Sequence, residues 1–214
     1  MFISILGDSI STYKDVSNDR NANQTLGINP YFYCAPFPLE KTYWMRVIQT
    51  FGLDLCVNNS WSGGNLSGIG DESAGVNRAK HLSRDDGTVP DLVILFMGIN
   101  DLGRGVNLSV FATDYEQTLK KIQAQYPQAF ICCVNLPDRD PYFKPRTEAF
   151  NQAIDAAIER VGARVFVADL FHSRLNNDNY YMNTVDGLHP DEDGMKIIAE
   201  VVEDAIRRHC PAAK

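Results

Sequence analysis

Five short apolar runs punctuate the chain: Phe2–Leu6, Leu53–Val57, Leu92–Phe96, Phe130–Val134 and Val165–Ala168. Each is bounded by polar or turn residues and alternates little, the pattern of strands buried on both faces. Helical spacing fills the intervals. Phe111, Tyr115, Leu119, Ile122 and Tyr126 step along one helical face until Pro127 ends it. Phe150, Ile154, Ala157, Ile158 and Val161 repeat the stripe, with Gly162 placed as a C-terminal cap. Met195, Ile198, Ala199, Val202 and Ile206 do so again after Asp191. Strands alternating with helices predict an α/β chain: a parallel sheet covered on both faces, three layers α/β/α. No repeat, low-complexity tract or dividing linker breaks the 214 residues, so one domain over 1–214 is expected. The irregular exception is an insert at about 11–39, where Pro30, Pro36 and Pro38 stand among Tyr31, Phe32, Tyr33 and Phe37. Long irregular segments are usually functional or disordered, and the aromatic content of this one favours function.

Polar motifs follow the apolar runs. Gly7-Asp8-Ser9-Ile10 leaves the first, Asn59-Ser60-Trp61-Ser62-Gly63-Gly64 the second and Gly98-Ile99-Asn100-Asp101 the third; Asp186-Gly187-Leu188-His189-Pro190 precedes the last helical stripe. Open α/β sheets bind ligands outside the carboxyl ends of their strands, so these segments are expected to converge on one rim. Serine, histidine and a carboxylate are the groups that make a hydroxyl nucleophilic: the imidazole takes the proton and the acid orients it. Gly-Asp-Ser alone arises by chance in roughly 5% of chains this long, and Asp-x-x-His in about one in four. Their joint occurrence in order is the informative fact. Each also has a plain structural reading. Ser9 could cap a helix, Gly63-Gly64 could be a flexible loop, Asn100-Asp101 a turn or helix start, and His189 a surface-loop residue. His81, His172 and His209 sit in no such block and are read as structural or solvated.

The four blocks resemble those of the SGNH hydrolases, the superfamily of GDSL-type esterases and lipases, over nearly the whole chain and in family order. That resemblance implies a flavodoxin-like, five-stranded parallel sheet. It also implies Ser9 as nucleophile, His189 as general base and Asp186 as its orienting carboxylate. The oxyanion hole would comprise the Ser9 and Gly63 backbone N–H groups and the Asn100 amide, with Gly64 the alternative glycine donor. The implied reaction is acyl transfer to water through an acyl-Ser9 ester, without a cofactor or metal. No Gly-x-Ser-x-Gly elbow, P-loop, GxGxxG or HExxH motif offers another chemistry. Asp191, Glu192 and Asp193 could suggest a metal, but they also suit the N-terminus of the last helix through its dipole.

Bulk properties narrow the partners. A net charge of −7 disfavours nucleic acid, and no stretch reaches the ~20 apolar residues of a membrane span. The first residues lack a basic n-region, so the chain as written is expected in the cytoplasm, export requiring a leader outside this sequence. Five cysteines without a CxxC pair read as buried small hydrophobes, Cys132 and Cys133 facing opposite ways along a strand. The expected partner is a small-molecule or carbohydrate ester; nothing in the pattern sets an oligomeric state. Trp61, Gly64, Tyr31 and Phe32 are the candidate substrate contacts, since aromatic rings stack on sugars or line acyl pockets. A small acyl group, acetyl first, on a carbohydrate is the leading substrate. Longer-chain lysophospholipase or thioesterase activity is the alternative, and an idle glycan-binding module the non-enzymatic one.

Overall fold

The structure, a computed structural model, describes residues 1–14, 16 and 37–211. Strands β1 (Phe2–Gly7), β2 (Asp54–Ser60), β3 (Leu92–Phe96), β4 (Phe130–Val134) and β5 (Val165–Ala168) form one parallel sheet in the order β2-β1-β3-β4-β5. This is the flavodoxin-like order, with the chain reversing its direction of travel between β1 and β3. Every residue of β3 is buried, as a central strand covered on both faces must be. Helices α1 (Tyr43–Phe51) and α6 (Glu192–His209) pack together on one face. On the other, α4 (Leu108–Gln125) packs against α5 (Lys144–Val161), and the short α2 (Gly75–Arg78) joins α4. Helix α3 (Ile99–Arg104) follows β3 directly.

Four predicted strands match within a residue, and the second differs for a physical reason. Strand β2 runs on through Asn58-Asn59-Ser60, polar residues that are nevertheless buried. Asn58 Nδ2 donates to the Ser11 carbonyl and Asn59 Nδ2 to the His81 carbonyl, which offsets part of the cost of burying them. Hydropathy alone ends the strand too early. Helix α1 was not signalled by a long stripe, yet its limits are local. Thr42 Oγ1 accepts from the Met45 N–H, and Gly52 closes the helix with φ 60°. The described cysteines, 56, 132, 133 and 210, are all buried. Cys132 lies on the side of Cys210 and Cys133 meets Tyr115, so the two do face apart, with burial pushing the Cys133 thiol up to about 12. Cys34, Tyr31 and Phe32, with most of the 11–39 insert, lie outside the described residues.

Strand register aligns the functional exits. Gly7 pairs with Ser60 on one side and Phe96 on the other, so β1, β2 and β3 end level. Ser9 follows that line by two residues, Gly63 by three and Asn100 by four. Hence the three polar segments share one rim at the switch point.

Candidate active site

Ser9 sits in a turn closed by the Ser11 N–H donating to the Asp8 carbonyl. No helix begins there, so the capping role for Ser9 is excluded; its hydroxyl faces His189 instead. Ser9 Oγ lies 2.9 Å from His189 Nε2, and His189 Nδ1 lies 2.9 Å from Asp186 Oδ2. The second carboxylate oxygen, Oδ1, accepts from the His189 N–H at 2.7 Å and the Leu188 N–H at 3.0 Å. Asp186 thus grips both the ring and the backbone of the histidine it orients. Burial pushes its carboxyl up, but the bonds from His189 and Leu188 outweigh this and hold it below its ordinary value. An ionised acid at Nδ1 keeps the proton on that nitrogen and leaves the Nε2 lone pair facing the serine.

The loop carrying this pair is tied at several points. Gly187 has φ 85°, a conformation glycine adopts without strain, and donates to Thr184 Oγ1. The Val185 N–H donates to the His189 carbonyl, and the buried Tyr180 hydroxyl donates to the Leu188 carbonyl. Beyond it Asp191 caps α6, accepting from the Asp193 and Gly194 N–H groups, while Glu192 pairs with Lys41 at 2.7 Å.

Opposite His189, the 61–67 loop meets α3. Gly63 has φ 70°. The Gly64 N–H is taken by the Trp61 carbonyl, whereas the Ser9 and Gly63 N–H groups donate to nothing among the described residues. Of the two candidate glycines, Gly63 therefore keeps the open donor. Asn100 Nδ2 donates to the Gly64 carbonyl at 3.0 Å and lies 3.4 Å from Asp8 Oδ2. Asn100 and Asp101 stand in the first turn of α3, but Asp101 does more than start a helix. Its buried carboxylate accepts from the Leu66 and Ser67 N–H groups at 2.7 and 2.9 Å. Arg104, one turn on from Asn100, donates to the Gly63 carbonyl and to Asn65 Oδ1.

Two buried groups behind the site were not singled out from the sequence. Asp8 is lifted by burial to about 7, against the bond from the Ile10 N–H and the charge of Arg78. Arg78 donates to the carbonyls of Asn59, Gly7 and Ser73, tying the ends of β1 and β2 to α2. Only the Gly-Asp-Ser spacing hinted at Asp8, and nothing local marks Arg78. A crevice of about 10 Å³, near one water in size, opens beside Ser9 and His189 between Ile10, Tyr13, Phe37, Pro190 and Met195. Trp61 is half-buried and Gly64 buried; Tyr31 and Phe32 are not described.

His172, read as structural or solvated, is largely exposed. It closes a second Asp-x-x-His, its Nδ1 lying 2.8 Å from Asp169 Oδ2, at the exit of β5. A cavity of about 310 Å³ adjoins it, lined in part by Asn135, Glu148 and Asp155. His209 stacks on Phe166 at 5.1 Å, and the His81 carbonyl receives Asn59.

Residues 5–197 match the GDSL-like Lipase/Acylhydrolase family. No curated protein matches the chain in sequence. Among solved structures, a protein from Bacteroides uniformis described as a GDSL-like lipase is 23% identical with a TM-score of 0.71, the match covering 97% of this chain and 95% of that one. The psychrotrophic esterase EstA from Pseudoalteromonas sp., in a structure inhibited by monoethylphosphonate, is 19% identical (TM-score 0.64), with 97% of each chain covered. A family two carbohydrate esterase from Clostridium thermocellum is 16% identical (TM-score 0.70), covering 97% of this chain and 63% of that one. These identities speak for a shared α/β fold, and none of the helices described is long and apolar enough to cross a membrane. With the family model spanning nearly its whole length, the chain belongs to the GDSL-like lipase/acylhydrolase family, a family of hydrolases.

Proposed function

We propose that the protein is a serine esterase that removes a small acyl group, acetyl foremost, from a carbohydrate alcohol through an acyl-Ser9 intermediate. The observation that carries this reading is the unbroken series of hydrogen bonds from Ser9 Oγ through His189 to Asp186. His189 Nε2 takes the Ser9 proton as Oγ attacks the ester carbonyl, and the imidazolium that forms is stabilised by ionised Asp186. The carbonyl oxygen becomes an oxyanion facing the Ser9 and Gly63 N–H groups and the Asn100 amide, which exchanges its long bond to Asp8 Oδ2 for the oxyanion. Preset donors of this kind are each worth about 2.7–4 kcal/mol of barrier. Collapse expels the alcohol, which leaves with the proton held on His189. A water then gives its proton to His189, attacks the acyl-Ser9 ester and releases the acid, restoring the serine. No step calls for a cofactor.

Two features support the carbohydrate side of the substrate. On the solvent side, Tyr142 (84% exposed) and Tyr181 (56%) present aromatic rings beside the histidine loop. Asp140 accepts from the Tyr142 backbone N–H and from the Tyr181 hydroxyl, so it holds the Tyr181 ring, which lies against Gly187. Rings with a polar edge suit the faces of sugars. Among the fold's relatives stands the family two carbohydrate esterase.

The test is a series of nitrophenyl esters of rising chain length, run beside fluorophosphonate labelling. Acetate should be the best ester, and the label should sit on Ser9. Preference for eight or more carbons would transfer the reading to a lysophospholipase or thioesterase. Folded protein that takes no label at Ser9 would point to a glycan-binding module.

A further inference from the structure

We infer that Arg104, an exposed residue outside the proposed triad and oxyanion donors, is a positioning residue that sets the orientation of the Gly63 loop. The inference deepens the proposed oxyanion hole and rests on that reading. Gly63 is the least constrained member of the hole. It is a glycine at φ 70°, and its own N–H is tied to nothing among the described residues. A peptide beside a left-handed glycine can rotate at little steric cost, so something must hold it. The Gly63 N–H belongs to the Ser62–Gly63 peptide, whose rotation is limited by the next plane, Gly63–Gly64, and that plane is held at two edges. Its N–H donates to the Trp61 carbonyl at 3.0 Å, and its carbonyl accepts from Arg104 Nη1 at 2.6 Å. The same Nη1 reaches Asn65 Oδ1 at 2.8 Å. Arg104 Nη2 would stand 3.2 Å from a Cβ placed on Gly63, so the guanidinium lies over the glycine itself.

Arg104 shares α3 with Asn100 and Asp101, which grip the same loop at Gly64, Leu66 and Ser67. One rigid helix therefore sets the Asn100 amide and the Gly63 N–H relative to each other. Removing Arg104 frees the carbonyl edge of the Gly63–Gly64 peptide, and through the Gly63 Cα the neighbouring plane that carries the Gly63 N–H, while leaving Asn100 and Asp101 in place. No carboxylate ion-pairs with Arg104 among the described residues, so its bonds are spent on this loop. A guanidinium presents several donors in a fixed plane and loses less freedom on binding than an ammonium.

The experiment uses Arg104→Ala, Arg104→Lys, Asn100→Ala and the Asn100→Ala/Arg104→Ala double variant on nitrophenyl acetate, a neutral ester. Arg104→Ala is expected to lower kcat about 10- to 100-fold, because a donor displaced by about 1 Å loses most of its effect. KM should stay within about twofold of the parent, Arg104→Lys should restore part of kcat, and the double variant should lose less than the product of the singles. Three results would overturn the inference. Unchanged kcat in Arg104→Ala, while Asn100→Ala falls by roughly 10²–10³, removes Arg104 and leaves the oxyanion hole standing. A higher KM at unchanged kcat makes Arg104 a substrate contact. Unchanged kcat in Asn100→Ala brings down the hole and the positioning role together.

Discussion

The chain builds the same local device twice and equips only one copy. Asp186-x-x-His189 and Asp169-x-x-His172 have the same spacing, and in both the carboxylate meets Nδ1, at 2.9 and 2.8 Å. Both lie on segments outside the sheet's strands, and in both the acid also accepts from the histidine N–H. The surroundings differ. The His189 side chain is 16% exposed and its Nε2 meets Ser9, whereas His172 is 75% exposed and meets no hydroxyl among the described residues. An acid three residues before a histidine is therefore a matter of local backbone. A nucleophile at the other ring nitrogen is a matter of topology, since Ser9 is 180 residues away.

Substituting each histidine is the severest way to break the comparison. His189→Ala should cost kcat on nitrophenyl acetate at least about 10⁴-fold, as loss of the base in a serine triad does. His172→Ala should leave kcat within about twofold. Equal losses in both variants would mean that the pairs are not functionally distinct.

A smaller effect separates their loops. The 186–189 pair encloses Gly187 at φ 85°, with the Tyr181 ring 3.1 Å from where a Cβ would stand; the 169–172 pair encloses Leu170 and Phe171 without positive φ. Gly187→Ala should cost about 1–2 kcal/mol of stability for the left-handed conformation alone, read by urea unfolding. It should also lower kcat, because the loop holds His189 against Ser9. A neutral substitution would show that the loop tolerates another path.

The last effect is read against pH rather than in turnover. Asp186, held below its ordinary value, contributes stability that is present above that value and lost as pH falls. Asp8 has the opposite sign. Raised from 3.8 to about 7, it keeps its proton in the folded state, so its contribution is full below pH 3.8 and lost as pH climbs through about 7. Asp8→Asn should therefore raise Tm relative to the parent more at pH 8 than at pH 4. A difference independent of pH would deny Asp8 this burial effect.

Much of the fold was legible because buried parallel strands and amphipathic helices write their periods directly into the chain. Leu92–Phe96 and the stripe from Phe111 to Tyr126 are examples. Polar interior residues broke that rule. Asn58 and Asn59 extend a strand because carbonyls 47 and 22 residues away receive them. Asp101 resembled an ordinary helix start because its partners, Leu66 and Ser67, lie across the rim. Arg104 and Arg78 carried no local signal for the same reason: each acts on carbonyls supplied by other segments.

What the order of residues determined by itself was the set of short-range devices. These are the Asp186 grip on His189, the glycine turns, the helix caps and the strand–helix alternation, all arising from contacts within a few positions along the backbone. Only the tertiary structure decided which acid–imidazole pair meets a serine, which glycine N–H stays open among the described residues, and that one helix, α3, grips the Gly63 loop. Those outcomes depend on strand order and register, which bring level the ends of β1, β2 and β3 although the chain between them is tens of residues long.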